Sequence, residues 1–200
     1  MRTVRQAPAI RIATQRRELS MPQNTFSLQP FEAKRVRVES TRSFDEVRLH
    51  LRKVVGTTII PQGGSQEAGS TPTREQFEQA IRSQVGESDF TLFFALDYGQ
   101  WLPLFGIKRK VMRWILGNPL IAITVIRHDI TASLFAPVEL LLVENESGEG
   151  SIVIYDLPSS LMVIEPNPAL LAAVRVLDQK LQALVSRVTG VELDGLPEPA

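Results

Sequence analysis

Two histidines, no cysteine and a scatter of carboxylates define the chemistry open to this 200-residue chain. Without cysteine there is no disulfide, thiolate nucleophile, cysteine-ligated zinc or thiol-held iron–sulfur cluster. His128-Asp129 has the make-up of a metal-binding doublet. Adjacent helical residues point about 100° apart, however, so the doublet does not easily grip one ion. Only one other imidazole, His50, is available to complete a site. A capping or surface role is therefore favoured for His128 over a metal or catalytic one, and no cofactor is expected. His50 lies between Val47 and Leu51, which suits a surface or boundary position.

Ser159-Ser160 follows Pro158. A serine nucleophile needs a base within about 3 Å and an oxyanion site. No G-x-S-x-G elbow is present and no partner histidine can be assigned, so a turn with hydroxyls bonding the backbone is favoured. Gly63-Gly64 is not followed by Gly-Lys-Ser/Thr, and no Gly-x-Gly-x-x-Gly follows a strand, so the nucleotide-binding loops are missing. Asp97 and Glu144 end apolar runs, and Asp156 stands beside Tyr155. If these three met at one sheet edge, paired carboxylates could do acid–base work. Turn capping is the plainer role for each. Lys108-Arg109-Lys110-Val111-Met112-Arg113-Trp114 interleaves cations with an aromatic, as nucleic-acid surfaces do. A charged edge that discourages sheet-to-sheet aggregation is the competing reading.

These residues have to be positioned by regular elements, and the spacing of apolar residues shows where they lie. Lys34–Ser40 alternates around Val36 and Val38 as a half-buried strand does. Ser43 with Glu46 forms a capping box, and Phe44, Val47, Leu51 and Val54 make one helical stripe that Gly56 could close in the left-handed conformation. After the polar stretch 61–72, Thr73 with Gln76 repeats the box ahead of Phe77, Ile81 and Val85. Phe90–Leu96 reads as a central strand, Val111–Leu116 as another, and Val138–Glu144 with Ser151–Tyr155 as a hairpin. Ile121, Ile123 and Val125 favour a strand by propensity, but Asn118-Pro119 is a cap and first turn, which predicts a helix. The strongest pattern is the last. Asn167-Pro168 opens a helix, Leu170, Val174, Leu177, Leu181, Leu184 and Val188 follow at 4-3-4-3-4, and Gly190 closes it.

Net charge is zero but uneven. Residues 1–60 carry 12 Lys/Arg against 5 Asp/Glu, and the remainder 10 against 17. The organisation expected is a disordered or extended basic leader over 1–33, a single α+β domain over 34–190 and an acidic tail over 191–200. The longest charge-free apolar run, Trp114–Ile126, is 13 residues, against about 20 for a membrane-crossing helix, so no membrane association is expected. A cytoplasmic location is expected, or the mitochondrial matrix if the arginine-rich leader is a transit peptide.

Ile115-Leu116-Gly117-Asn118-Pro119-Leu120, then Phe135-Ala136-Pro137-Val138-Glu139-Leu140-Leu141-Leu142-Val143-Glu144, resembles domain-of-unknown-function family 302. Tyr155-Asp156-Leu157-Pro158-Ser159-Ser160 and the terminal helix, with Leu177-Asp178 and Lys180-Leu181, continue the resemblance, which covers about 34–190. Residues 57–89 look like an insertion. The resemblance implies a β-α-β-β-β-β-α arrangement similar to TATA-binding-protein-like folds: one antiparallel sheet with helices on one side. It also implies a tendency to dimerise, and no established reaction. Three functions stay open. A non-enzymatic module could bind a small apolar ligand or a protein partner in a concave space under the terminal helix, lined by Phe93, Trp101, Phe105, Trp114 and Tyr155. An enzyme could use Asp97, Asp156 or His128 as acid or base. A nucleic-acid binder would use Lys108–Arg113, although one short basic patch in a neutral chain is more often a charged edge. A homodimer is expected, with the terminal helix as a possible seam.

Overall fold

The computed structural model describes residues 24–57 and 72–193. The arginine-rich leader 1–20, nearly all of the polar stretch 61–72 and the tail beyond 193 lie outside those residues. The chain divides into two units, 1–30 and Phe31–Ala200. Residues 24–30 are exposed and form neither helix nor strand.

The second unit runs β1 (Arg35–Ser40), α1 (Phe44–Val54), β2 (Gly56–Thr57), α2 (Arg74–Gln84), β3 (Thr91–Asp97), β4 (Val111–Gly117), α3 (Pro119–Ile126), β5 (Val138–Glu144), β6 (Ser151–Asp156), α4 (Pro158–Met162) and α5 (Pro168–Thr189). Three 3-10 stretches, Tyr98–Gln100, Leu102–Phe105 and Ile130–Phe135, lie between strands. The six strands form one sheet in the order β1-β6-β5-β4-β3-β2. All pairs are antiparallel except β2 and β3, where Gly56 and Thr57 lie parallel to Thr91 and Leu92. The α+β class, the single sheet and the helix inserted near 73–85 are as the residues and the resemblance imply.

Local chemistry explains most element ends. Ser43 and Thr73 each complete a capping box with Glu46 and Gln76. Asn118 Oδ1 accepts from Leu120 N–H, which resolves the 118–129 stretch as helix. Asn167 accepts from Leu170 N–H, and Gly190, at φ 73°, ends α5 as expected. Gly56 departs from expectation. α1 ends at an extended Val55, and Gly56 enters β2 instead of turning left-handed. Its missing side chain serves a close crossing, because a Cβ there would overlap the Gln84 carbonyl at the end of α2.

Two strand expectations change. Phe90–Leu96 is not central: on the side away from β4, β3 is flanked only by the two-residue β2, and Phe94 and Leu96 are exposed. β4 is no charged edge, since it lies between β3 and β5, and its flanking cations are paired. Lys110 Nζ meets Asp45 at 2.7 Å and Glu144 at 3.6 Å, Arg109 meets Glu146 at 3.2 Å, and Arg113 bonds Glu139.

The core lies between one sheet face and the helices. Val38, Met112, Trp114, Leu116, Leu140, Leu142 and Val153 project to that side, against Val47 and Leu51 of α1 and Val174, Leu181 and Val188 of α5. Trp114 is wholly inaccessible. The 4-3-4-3-4 stripe of α5 is therefore occupied by the sheet and leaves no free leucine seam on that face. The other face carries Arg35, Arg37, Glu39, Arg113, Glu139, Leu141 and Ile154, and core helices do not cover it.

Candidate functional site

Strand alternation builds the concavity that matters on this second face. Because side chains alternate, Arg35, Arg113, Glu139, Leu141, Ile154 and Asp156 share the face turned away from Trp114 and Leu140. The 3-10 stretch Ile130–Phe135, with Pro137, and α4 rise beside them. Together they enclose a groove of about 590 Å³, lined also by Leu134, Phe135, Pro137, Pro158 and Leu161. Its apolar floor is bordered by two cation–carboxylate pairs. Arg35 grips Asp156 with two bonds, Nε to Oδ1 at 2.7 Å and an amino nitrogen to Oδ2 at 3.0 Å. Arg113 donates to Glu139 and is further raised above its ordinary pKa by Tyr98. The groove thus presents apolar area, guanidinium donors and carboxylate acceptors with no net charge.

Behind the groove lies a buried polar group. Tyr155 lines the groove but is only 3% exposed, and its hydroxyl has no hydrogen-bond partner. Asp178 on α5 is 4% exposed, and its Oδ1 accepts from Ser159 N–H at 3.0 Å, so it caps the start of α4 from a neighbouring helix. Burial raises the Asp178 carboxyl above the ordinary carboxylate range, against the opposing pull of Ser159 and Arg175. Ser159 Oγ favours the charged carboxyl yet reaches no partner in full hydrogen-bond geometry. Burial first, and the nearby Asp178 second, push the Tyr155 phenol up as well. Asp178 was the acid to notice in sequence. It falls four residues after Val174 and three before Leu181, on the apolar stripe, where a charged side chain needs a reason.

The candidates from sequence disperse. Asp97 is exposed and caps the next 3-10 turn by accepting from Gly99 N–H at 2.8 Å. His128 is exposed after α3, and its carbonyl accepts from the Asn167 amide at 3.4 Å. Asp129 Oδ1 accepts from Thr131 N–H and its hydroxyl, which lowers the carboxyl pKa. Asp97 and Glu144 end parallel-running strands, whereas Asp156 ends the antiparallel β6 at the opposite end of the strands, so the three carboxylates do not meet. Ser160 behaves as a turn residue: its hydroxyl donates to Leu157 O at 2.7 Å and accepts from Lys34 N–H. No group of three His, Cys, Asp or Glu side chains able to hold a metal occurs among the described residues, and no described helix is long and apolar enough to cross a membrane.

The five proposed lining residues fall in four places. Tyr155 borders the groove. Phe93 borders a separate apolar pocket of about 210 Å³ with Phe90, Ile121 and Leu177. Trp101 and Phe105 meet edge-to-face at 6.3 Å on the exposed stretch after β3. Trp114 is core. The smaller pocket reaches α5 at Leu177, and the larger concavity is on the other side of the sheet.

With this geometry in place, the comparisons with known proteins can be read. No curated protein matches the chain. The crystal structure of an uncharacterized conserved DUF302 protein from Bacillus stearothermophilus is similar, with a TM-score of 0.52 and 15% sequence identity, over 77% of this chain and 97% of that one. At that identity the likeness is one of fold. The model of the family named "Domain of unknown function DUF302" matches residues 68–188. The match begins within the stretch 57–89 that looked like an insertion, so 68–89 lies within the family pattern. Because it takes in more than half of the chain, from ahead of α2 to the last turn of α5, this protein belongs to the DUF302 family.

Proposed function

We propose that the protein is a binding module for a small, largely apolar molecule, held in the groove between the uncovered sheet face, the Ile130–Phe135 stretch and α4. The observation that carries this is the groove itself. Its volume of about 590 Å³ falls within the roughly 300–1,000 Å³ usual for ligand pockets, and a mostly apolar floor with a few placed polar groups is their usual make-up. Leu141 and Ile154 supply apolar area, and Arg35 and Arg113 supply donors already oriented by Asp156 and Glu139. Carboxylate catalysis is supported less well, since Asp97 and Asp156 lie at opposite ends of the strands and the further acid, Asp178, is sealed inside.

The test is a fluorescence titration with 1-anilino-8-naphthalenesulfonate, which is apolar and carries one anionic group. Saturable enhancement is expected, weakened at least fivefold by Leu134→Glu at the exposed rim and by Leu141→Arg on the floor. Enhancement indifferent to both variants, with far-ultraviolet dichroism showing each folded, would place the dye elsewhere and end this reading.

A second reading, a two-fold homodimer, is favoured by a different observation. Leu104 and Phe105 are 80% and 74% exposed, close to Trp101 and Ile107. Contiguous exposed apolar surface of this kind marks interaction sites. The contact is proposed there and not on α5. Light scattering at micromolar concentration should give twice the chain mass, and Leu104→Glu should halve it.

A further inference from the structure

Away from the groove, three segments send cationic or imidazole side chains to one concavity. Arg42 comes from the β1–α1 turn, His50 and Lys53 from α1, and Arg187 from the last turn of α5; with Val54 and Glu87 they line a pocket of about 340 Å³. Like charges gathered from separate elements repel one another, so such a cluster is stabilised by an anion.

Arg42 is held in place before any ligand arrives. One of its amino nitrogens donates to the carbonyls of Arg187 at 2.9 Å and Val188 at 2.8 Å, and lies 3.2 Å from His50 Nδ1. His50 Nδ1 also lies 3.4 Å from the Val188 carbonyl, so the ring is anchored through Nδ1 at the same junction and Nε2 stays outside these contacts. The α5 carbonyls, whose partial negative charge would oppose an anion, are thereby turned onto Arg42. Lys53 is exposed and has no ion pair among the described residues. The carboxylates present are Glu87, paired with Arg187 across an exposed contact, and Glu46, bound to the Ser43 hydroxyl at 2.7 Å in the cap of α1. Exposed pairs such as Arg187–Glu87 contribute little stability, so Arg187 can exchange Glu87 for a stronger acceptor.

We infer that this pocket is a seat for a phosphate group, with Arg42 and Arg187 as fork-shaped donors, Lys53 as a point charge and the His50 ring beside them. Guanidinium groups match phosphate oxygens in pairs, and the pocket has room for a phosphomonoester head and part of what it is attached to. The head could belong to a free solute or to a lipid; the recognition chemistry is the same.

The chain has only two histidines, so proton NMR of the imidazole rings reads the pocket with an internal control. On titration with inorganic phosphate at fixed pH, the His50 ring resonances should move along a saturable curve while those of His128 stay put. Lys53→Gln and Arg187→Gln, both surface changes, should each weaken the apparent affinity at least fivefold. Arg74→Gln, which removes the same charge from α2, should leave it unchanged. In a parallel arm, vesicles of phosphatidylcholine with and without phosphatidic acid are sedimented with the protein. Co-sedimentation that requires phosphatidic acid and Lys53 identifies a lipid head, and a His50 response to phosphate without co-sedimentation identifies a free solute. A silent His50 with no phosphatidic-acid-dependent sedimentation, or responses that the Lys53 and Arg187 variants do not alter, overturns the assignment.

Discussion

The two faces of the sheet are built from the same strands by simple alternation, yet they differ in nearly every physical respect. On the helix side, Trp114, Leu140, Leu142 and Val153 are sealed by α1 and α5. On the other side, Leu141 and Ile154 are half-buried among Arg35, Arg113, Glu139 and Asp156. The sealed face supplies stability and keeps only the smaller pocket, of about 210 Å³, beside Phe90 and Leu177. The open face keeps apolar area within reach of solvent and surrounds it with oriented charges. The core and the proposed binding face are thus separated by one pleat, and a change of a single position along a strand moves a residue from one face to the other.

The sharpest way to break this contrast is in the core. Leu181 is fully buried in the middle of α5, so Leu181→Ala should cost about 2–5 kcal/mol in chemical denaturation, the range for an unfilled core cavity. Leu177, slightly less enclosed, should behave in the same way. Leu141→Ala, on the open face, should cost under about 1.5 kcal/mol, because less of its apolar area leaves water on folding. Equal losses at Leu181 and Leu141 would show that both faces carry the core.

Asp178 tests what lies behind the groove. Its folded carboxyl pKa is raised above the ordinary 3.8 by burial, so the folded protein holds this proton more tightly than the unfolded chain does. The stability linked to it is therefore full below about pH 3.8 and is lost as pH rises through the higher folded value. Asp178→Asn keeps an acceptor for Ser159 N–H and removes the buried charge. The variant should be more stable than the parent at pH 8 and should lose the part of the pH dependence that lies above pH 4. Melting temperatures measured from pH 4 to 8 decide this, and parallel curves for the two proteins would exclude a raised Asp178.

How much of this was visible in sequence follows from how local each feature is. Capping residues act within a turn, so Ser43/Glu46, Asn118-Pro119 and Asn167-Pro168 marked three helix starts correctly. The α5 stripe was equally plain. Strand order is not local. Nothing in Phe90–Leu96 reveals that only a two-residue strand lies on its outer side, so an apolar run read as central proved nearly peripheral. The same limit hid the groove, whose walls come from β1, β4, β5, β6 and α4. Aromatic residues were poor guides to a site because Trp114 serves the core and Trp101 the surface with the same chemistry.

The smallest effects should come from exposed charge. Arg113→Gln removes a surface ion pair with Glu139 and should change stability by less than about 1 kcal/mol, yet weaken dye binding in the groove. Gln182→Ala on α5, away from both pockets, should shift stability by under about 0.5 kcal/mol and leave binding alone.

The central claim, that the open face and not the helix-covered one receives a ligand, is tested most directly by methyl NMR with 1-anilino-8-naphthalenesulfonate added. Ile, Leu and Val methyls should separate by face. Leu134, Leu141, Ile154 and Leu161 should shift with a common saturable curve, while Leu142, Val153, Val174 and Leu181 stay within the scatter of the untreated protein. Shifts concentrated in the second set, or in neither, would contradict the account.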